Sequence, residues 1–166
     1  MKDRLNIRAS VSEDAKALTD ILNEIIKVGG TTAMEDQLNQ SEFADRFLLG
    51  PDHIICSVAE NIITRQLLGF QALLQHPDLP DGWADIATFA RMSPKVAGVG
   101  SALFVVTRTK ALELGFQNIN ATIRADNHIG LSYYAKMGFE TYKTVRAVPL
   151  KNGTPVDRVL KSYHLE

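Results

Sequence analysis

The sequence predicts an α+β domain in which a mixed, mostly antiparallel seven-stranded sheet carries a central parallel pair and helices on both faces. Three observations predict it. A strand-like run, Trp83 to Met92, breaks at Pro94 and re-enters order through Gly98 and Gly100 as an apolar helix, Ser101 to Leu114, which leads into the strand Asn118 to Arg124. A single crossover helix between neighbouring strands favours a parallel pair. Ahead of this unit, Ile54 to Glu60 and Leu67 to Gln75 flank a turn region and read as an antiparallel pair. Behind it, Phe139 to Leu150 and Pro155 to Leu165 flank Asn152-Gly153, a strong two-residue hairpin signal.

In chain order, Leu5 to Ala9 reads as the first strand, and Ser10-Val11-Ser12-Glu13 fits a capping box with Ser10 as N-cap. Leu18, Ile21, Leu22, Ile25 and Ile26 then recur at helical spacing until Gly29-Gly30 stops the helix. A polar loop, Thr31-Thr32-Ala33-Met34-Glu35, precedes a short helix over about Ser41 to Leu49. The segment His76-Pro77-Asp78-Leu79-Pro80-Asp81-Gly82 is a connecting loop, and Asn127 opens a last helix that ends at Gly138.

With 166 residues the chain fits one domain, residues 1–166, able to bury a full core. A net charge of −1 without any Lys/Arg cluster argues against nucleic acid or a membrane as partner. The start, Met1-Lys2-Asp3-Arg4-Leu5-Asn6, has no apolar stretch of signal-peptide length, so a cytoplasmic location is expected. Cys56 is the sole cysteine and sits in an apolar run, as a small core residue does, and His53, His76, His128 and His164 lack metal-ligand spacing. No metal site is expected.

The turn Lys95-Val96-Ala97-Gly98-Val99-Gly100 admits several readings. It is not a Walker A loop, which needs G-x-x-x-x-G-K-[ST], nor a dinucleotide fingerprint, whose third glycine is replaced by Leu103. A plain strand-to-helix turn and an anion cradle at a helix N-terminus both remain open on the residues alone. The motif resembles the acetyl-CoA loop of the GCN5-related N-acetyltransferase (GNAT) superfamily, R/Q-x-x-G-x-G/A, with Lys95 in place of the usual Arg or Gln. The later segment Asn127-His128-Ile129-Gly130-Leu131-Ser132-Tyr133-Tyr134-Ala135-Lys136-Met137-Gly138-Phe139 is similar to the second GNAT signature, N-x-x-A/S-x-x-x-Y-x-x-x-G-F, with Gly130 at the usual Ala or Ser. The two signatures stand in the family's order, and the element order agrees along the whole chain. Thr31 to Glu35 and Val148 to Asp157 look like the phosphinothricin acetyltransferase branch.

The resemblance implies a GNAT-like fold and an acetyl-CoA-dependent N-acetyltransferase. The acceptor expected is the primary amine of a small molecule, an amino acid or analogue among them, acetylated by direct attack in a ternary complex. It implies pantetheine along the backbone of Phe89 to Met92, an oxyanion-donating N–H near Met92, pyrophosphate on the amides of Val96, Ala97, Gly98, Val99, Gly100 and Ser101, and Lys95 and Asn127 as further cofactor contacts. Tyr134, by motif position, would protonate the departing sulfur, whereas Tyr133 is expected to be structural. Glu35 is the first candidate for general base, with His76 and Asp85 behind it. A protein N-terminal or lysine acetyltransferase and a non-catalytic acyl-CoA-binding module are the competing functions, and a homodimer is left open.

Overall fold

A computed structural model describes residues 4–166. The N-terminal stretch from which the lack of a leader is read therefore begins outside the described residues. The elements run β1 (Leu5–Ala9), a 3₁₀ turn (Ser12–Asp14), α1 (Ala15–Val28), α2 (Gln40–Phe47), β2 (His53–Asn61), β3 (Leu67–Leu74), β4 (Trp83–Ala90), α3 (Val99–Glu113), β5 (Asn118–Arg124), α4 (His128–Met137), β6 (Glu140–Pro149) and β7 (Pro155–His164). All seven strands form one sheet in the order β1-β2-β3-β4-β5-β7-β6, with β4 and β5 as its parallel neighbours. The predicted fold class is the observed one.

Alternation along the strands divides the core. Phe70 and Ala72 of β3 point to one face, where they meet Leu18, Leu22, Phe43 and Phe47 of α1 and α2. Phe70 packs edge-on to Phe43 and Phe47 at centroid distances of 5.4 and 5.7 Å, an arrangement that aromatic quadrupoles favour. Leu73, Ala84, Ile86, Ile119, Ala121 and Ile123 point to the other face, under Phe104 of α3 and Tyr134 of α4. The expectation that Ile119, Ala121 and Ile123 share one side is met. Cys56 is buried, and desolvation pushes its thiol up to about 12, so it stays protonated in the core.

Two local expectations are corrected. The cap before α1 is not built by Ser10 and Glu13: the Asp14 carboxylate accepts the Val11 N–H at 2.8 Å and two Arg8 guanidinium bonds at 2.8 and 2.9 Å. A buried carboxylate with a cation on the neighbouring strand outcompetes an exposed Glu13 for the same turn. A capping box exists instead at α2, where Asn39 accepts from Glu42 N–H and Glu42 from Asn39 N–H. The second correction concerns α3, which begins at Val99 rather than Ser101, so that Gly100 lies inside the first helical turn.

The feature that positions the site is where β4 and β5 part. They pair only over Trp83–Asp85 with Asn118–Asn120. Beyond that point β4 stays with β3 as far as Ala90, and β5 stays with β7 as far as Arg124. A wedge thus opens in the middle of the sheet, flanked by strand edges that have no ladder partner across it and whose peptide groups suit an extended ligand.

Candidate active site

At the wide end of the wedge β4 runs out at Ala90, and the chain passes Met92 and Lys95, both exposed, before entering α3. Gly98 is the N-cap of α3 at φ +84°, a left-handed conformation that a Cβ opposes. The amides of Val99, Gly100 and Ser101 form the first turn, where N–H groups find no acceptor within the helix. Gly100 has a different reason to be glycine. A Cβ there would lie 2.6 Å from Cε1 and 3.0 Å from Cζ of Tyr133, which crosses over the helix start and donates its hydroxyl to the Gly100 carbonyl at 2.7 Å.

Tyr134 sits over the wedge. It is buried, stacked edge-on against Tyr133 and Phe139, and its hydroxyl shares a 2.8 Å hydrogen bond with Thr88 Oγ1 on the splayed half of β4. Gln71, directly across on β3, donates to Thr88 Oγ1 at 2.9 Å and to the Tyr133 hydroxyl at 3.0 Å. One buried amide therefore fixes both tyrosines. Burial drives the Tyr134 phenol well above the ordinary range and Tyr133 up to about 12, so both hold their protons at neutral pH.

Asn127 caps α4 by accepting the Gly130 N–H at 2.9 Å, and its Nδ2 donates to the Thr31 carbonyl at 2.8 Å. Gly130 stands at the motif's usual Ala or Ser because a Cβ there would lie 2.5 Å from that Nδ2. Arg124, buried and paired with Asp126, reaches the Thr32 carbonyl at 3.3 Å. The loop after α1 is thus anchored to the end of β5 and the start of α4. Its far end meets the β6–β7 hairpin: Glu35 accepts the Lys151 N–H at 3.0 Å, and Asp36 pairs with the Lys151 ammonium. Glu35 is exposed at that junction. The two segments that suggested the phosphinothricin branch, remote in sequence, touch here.

The other lower-ranked candidates, His76 and Asp85, meet in a groove of about 590 Å³ on the sheet face that α1 and α2 leave uncovered beyond β4. Asp85 and Asn120 form its floor; Tyr142, Lys143 and Arg158 line it from the β6–β7 side. Asn120 donates to Asp85 Oδ1 at 2.9 Å and accepts from the Tyr142 hydroxyl. Desolvation raises the Asp85 carboxyl above its usual range, opposed by the Asn120 hydrogen bond and by the nearby His76 and Arg46 side chains. Among the described residues no three metal-ligating side chains cluster, and no helix is long and apolar enough to cross a membrane.

Sequence reasoning named Tyr134 and the glycine turn but missed Thr88, Gln71, Asn120 and Tyr142. A signal existed for the first two. Each is a polar side chain within an apolar strand: Gln71 stands between Gly69 and Leu73, both buried, and Thr88 two residues after the buried Ile86.

No protein-family model matches the chain, and no curated protein matches it in sequence. Its fold, however, superposes on solved acetyltransferases over nearly the whole length. A GCN5-related N-acetyltransferase from Kribbella flavida matches with a TM-score of 0.85 at 19% identity, covering 99% of this chain and 100% of that one. An N-acetyltransferase from Staphylococcus aureus Mu50 matches at 0.84 and 19% identity over 98% and 99% of the two chains. A GNAT superfamily phosphinothricin acetyltransferase from Sinorhizobium meliloti, solved in complex with AcCoA, matches at 0.82 and 18% identity over 98% and 89%. The wedge, the glycine turn and the helix carrying Tyr134 thus belong to a chain with the GNAT acetyltransferase fold from first strand to last.

Proposed function

We propose that the protein is an acetyl-CoA-dependent N-acetyltransferase whose acceptor is the primary amine of a small molecule. One observation carries this reading: the wedge between β4 and β5 has an unpaired strand edge on each side, a glycine-capped helix start at its wide end, and the Tyr134 hydroxyl against its wall at Thr88. The acetyl-CoA complex of the Sinorhizobium meliloti relative supports the same ligand for this wedge. The groove volume lies in the ordinary range for small-molecule sites, which favours a small acceptor over a protein chain.

Acetyl-CoA, when bound, supplies the acetyl thioester. The edge of Phe89 to Met92 would receive its pantetheine arm, the amides from Val96 to Ser101 its pyrophosphate, and Lys95 a phosphate as a point charge. Asn127, whose Nδ2 already donates to Thr31, has one amide hydrogen left for a cofactor contact. The transfer replaces a C–S bond by a C–N bond. The acceptor ammonium gives up two protons, one of which ends on the sulfur and the other in solvent. Tyr134, protonated throughout the neutral range, donates to the sulfur and is reprotonated from solvent or the new amide nitrogen. A backbone N–H near Met92 faces the oxyanion, a contribution of about 3 kcal/mol to the barrier. The first ammonium proton leaves through a carboxylate, either Glu35 by way of a water or Asp85 in the groove.

The test is a thiol-release screen with acetyl-CoA against free amino acids, polyamines, aminoglycosides and short peptides. Saturable release that depends on a small amine, with an acetamide product by mass spectrometry, is expected. Tight acetyl-CoA binding without transfer to any acceptor would replace the enzyme by an acyl-CoA-binding module. Transfer to peptides alone would make it a protein acetyltransferase.

A further inference from the structure

In the groove beyond β4 a carboxylate and two cations stand at different levels of the sheet, with His76 and, from α2, Arg46 also beside the carboxylate. At its floor stands Asp85, level with Asn120 in the β4–β5 ladder. Asn120 is buried and fully spent: its Oδ1 accepts from Tyr142, and its Nδ2 donates to Asp85 Oδ1 and to Thr122 Oγ1. That chain fixes the Asp85 carboxylate and leaves Oδ2 without a partner among the described residues. Tyr142 is held in turn by the edge of Trp83, 5.6 Å between ring centroids.

The two cations stand further along. Lys143 is level with Leu160, and so with Thr122, two residues up the sheet from Asn120. Arg158 is level with Arg124, four residues up. At about 3.3 Å per residue these steps are ~7 and ~13 Å from the level of Asp85. Neither cation is ion-paired with a carboxylate among the described residues; Arg158 donates only to the Val156 carbonyl, at 3.2 Å. Other cations, Arg91, Arg108 and Lys136 among them, are likewise without a carboxylate partner among the described residues; what sets Lys143 and Arg158 apart is that both line the groove that holds Asp85.

We propose that this groove is the acceptor subsite and that it selects an amine bearing a second, anionic group at a distance, with Asp85 holding the ammonium and Lys143 and Arg158 the anion. The proposal rests on the acetyltransferase reading and names the class of acceptor for it. Side chains reaching inward from levels ~7 and ~13 Å away leave a span wider than an ammonium and a carboxylate on one carbon, so a spacer of several atoms fits better than glycine does. A neutral amine of equal length would satisfy Asp85 and leave both cations unmatched, whereas an anionic one gains charge-assisted hydrogen bonds from a guanidinium suited to carboxylate or phosphonate geometry.

The experiment has two arms on the full chain. In the first, binding of 3-aminopropanoate, 4-aminobutyrate, 6-aminohexanoate, glycine and 1-butylamine is measured by calorimetry with CoA present, and kcat/KM for each by thiol release. In the second, the same series is run on a Lys143→Ala/Arg158→Ala double variant, with a Lys110→Ala/Lys136→Ala double variant on α3 and α4 as a charge-matched control. Expected is a preference of about 10- to 100-fold for the spaced amino acids over 1-butylamine and glycine, lost in the double variant as a rise in KM, with 1-butylamine and acetyl-CoA affinity unmoved. Equal handling of 4-aminobutyrate and 1-butylamine, or an unaltered preference in the double variant, overturns the proposal while leaving the acetyltransferase intact. Absence of thiol release with every amine, together with a calorimetric preference for the spaced amino acids that the double variant loses, sinks the enzyme reading and keeps the groove's selectivity.

Discussion

Replacing Gly100 by alanine tests the packing of the helix start directly. The new Cβ would sit 2.6 Å from Tyr133 Cε1, where carbon atoms rest at about 3.5–4.0 Å, so the ring must move by roughly 1 Å. The ring is backed by Tyr134 at 4.9 Å and its hydroxyl is tied to Gly100 O and Gln71, so the movement also weakens those bonds. Overpacking costs about 1–3 kcal/mol and the hydrogen bond about 1, offset by up to ~1 from the better helix propensity of alanine. The net is ~2 kcal/mol, or about 4–8 °C in Tm for a chain of this size. Urea denaturation of Gly100→Ala in the parent and in a Tyr133→Leu background measures it. In the second background the cost should vanish, because no ring remains to clash. Gly98→Ala, strained by its left-handed backbone alone, should cost ~1–2 kcal/mol in both. A Gly100→Ala penalty that is absent in the parent, or identical in both backgrounds, would refute the packing argument.

Three further outcomes are expected. Tyr134→Phe should lower turnover by about 10²-fold with little change in acetyl-CoA affinity, since Thr88 keeps its bond from Gln71; Tyr133→Phe should leave turnover near the parent value yet lower stability by ~1–3 kcal/mol, and the reverse pattern in kinetics would show that the wrong tyrosine has been assigned. Lys95→Ala should weaken acetyl-CoA binding and flatten its salt dependence while Lys95→Arg changes little; equal affinity and equal salt response in all three proteins would place this lysine in bulk solvent. The Arg8 guanidinium holds the Asp14 carboxyl below its usual range, so the stability it adds is complete above about pH 4, the ordinary carboxylate value, and is lost as pH falls through the lower folded value. Asp14→Asn should therefore cost ~2 kcal/mol at pH 7, with the gap to the parent closing in acid; a gap that stays constant from neutral to strongly acid pH would remove the ion pair as its cause.

Much of this was legible in the sequence because its cause is local. Helical spacing from Leu18 to Ile26, the stop at Gly29, the hairpin at Asn152-Gly153 and the strand–glycine–helix order after Trp83 each follow from periodicity or backbone preference within a few residues. Both motifs belong to this class: Asn127 opens α4 where its spacing put it, while the helix after the glycine turn starts two residues earlier than the sequence placed it, with Gly98 as its N-cap. Tertiary structure alone decided which partner each polar group finds. Asp14 rather than Glu13 closes the turn before α1 because Arg8 faces it from β1, and Gly100 is glycine because Tyr133, 33 residues on, lies across it. The Gln71–Thr88–Tyr134 chain joins three elements through sheet register, and the groove at Asp85 exists because β4 and β5 part after three paired residues while β7 and β6 carry Arg158 and Lys143 alongside. Hydrogen bonds and charges act over a few ångström of space, whatever their separation along the chain, and only the folded sheet fixes those distances.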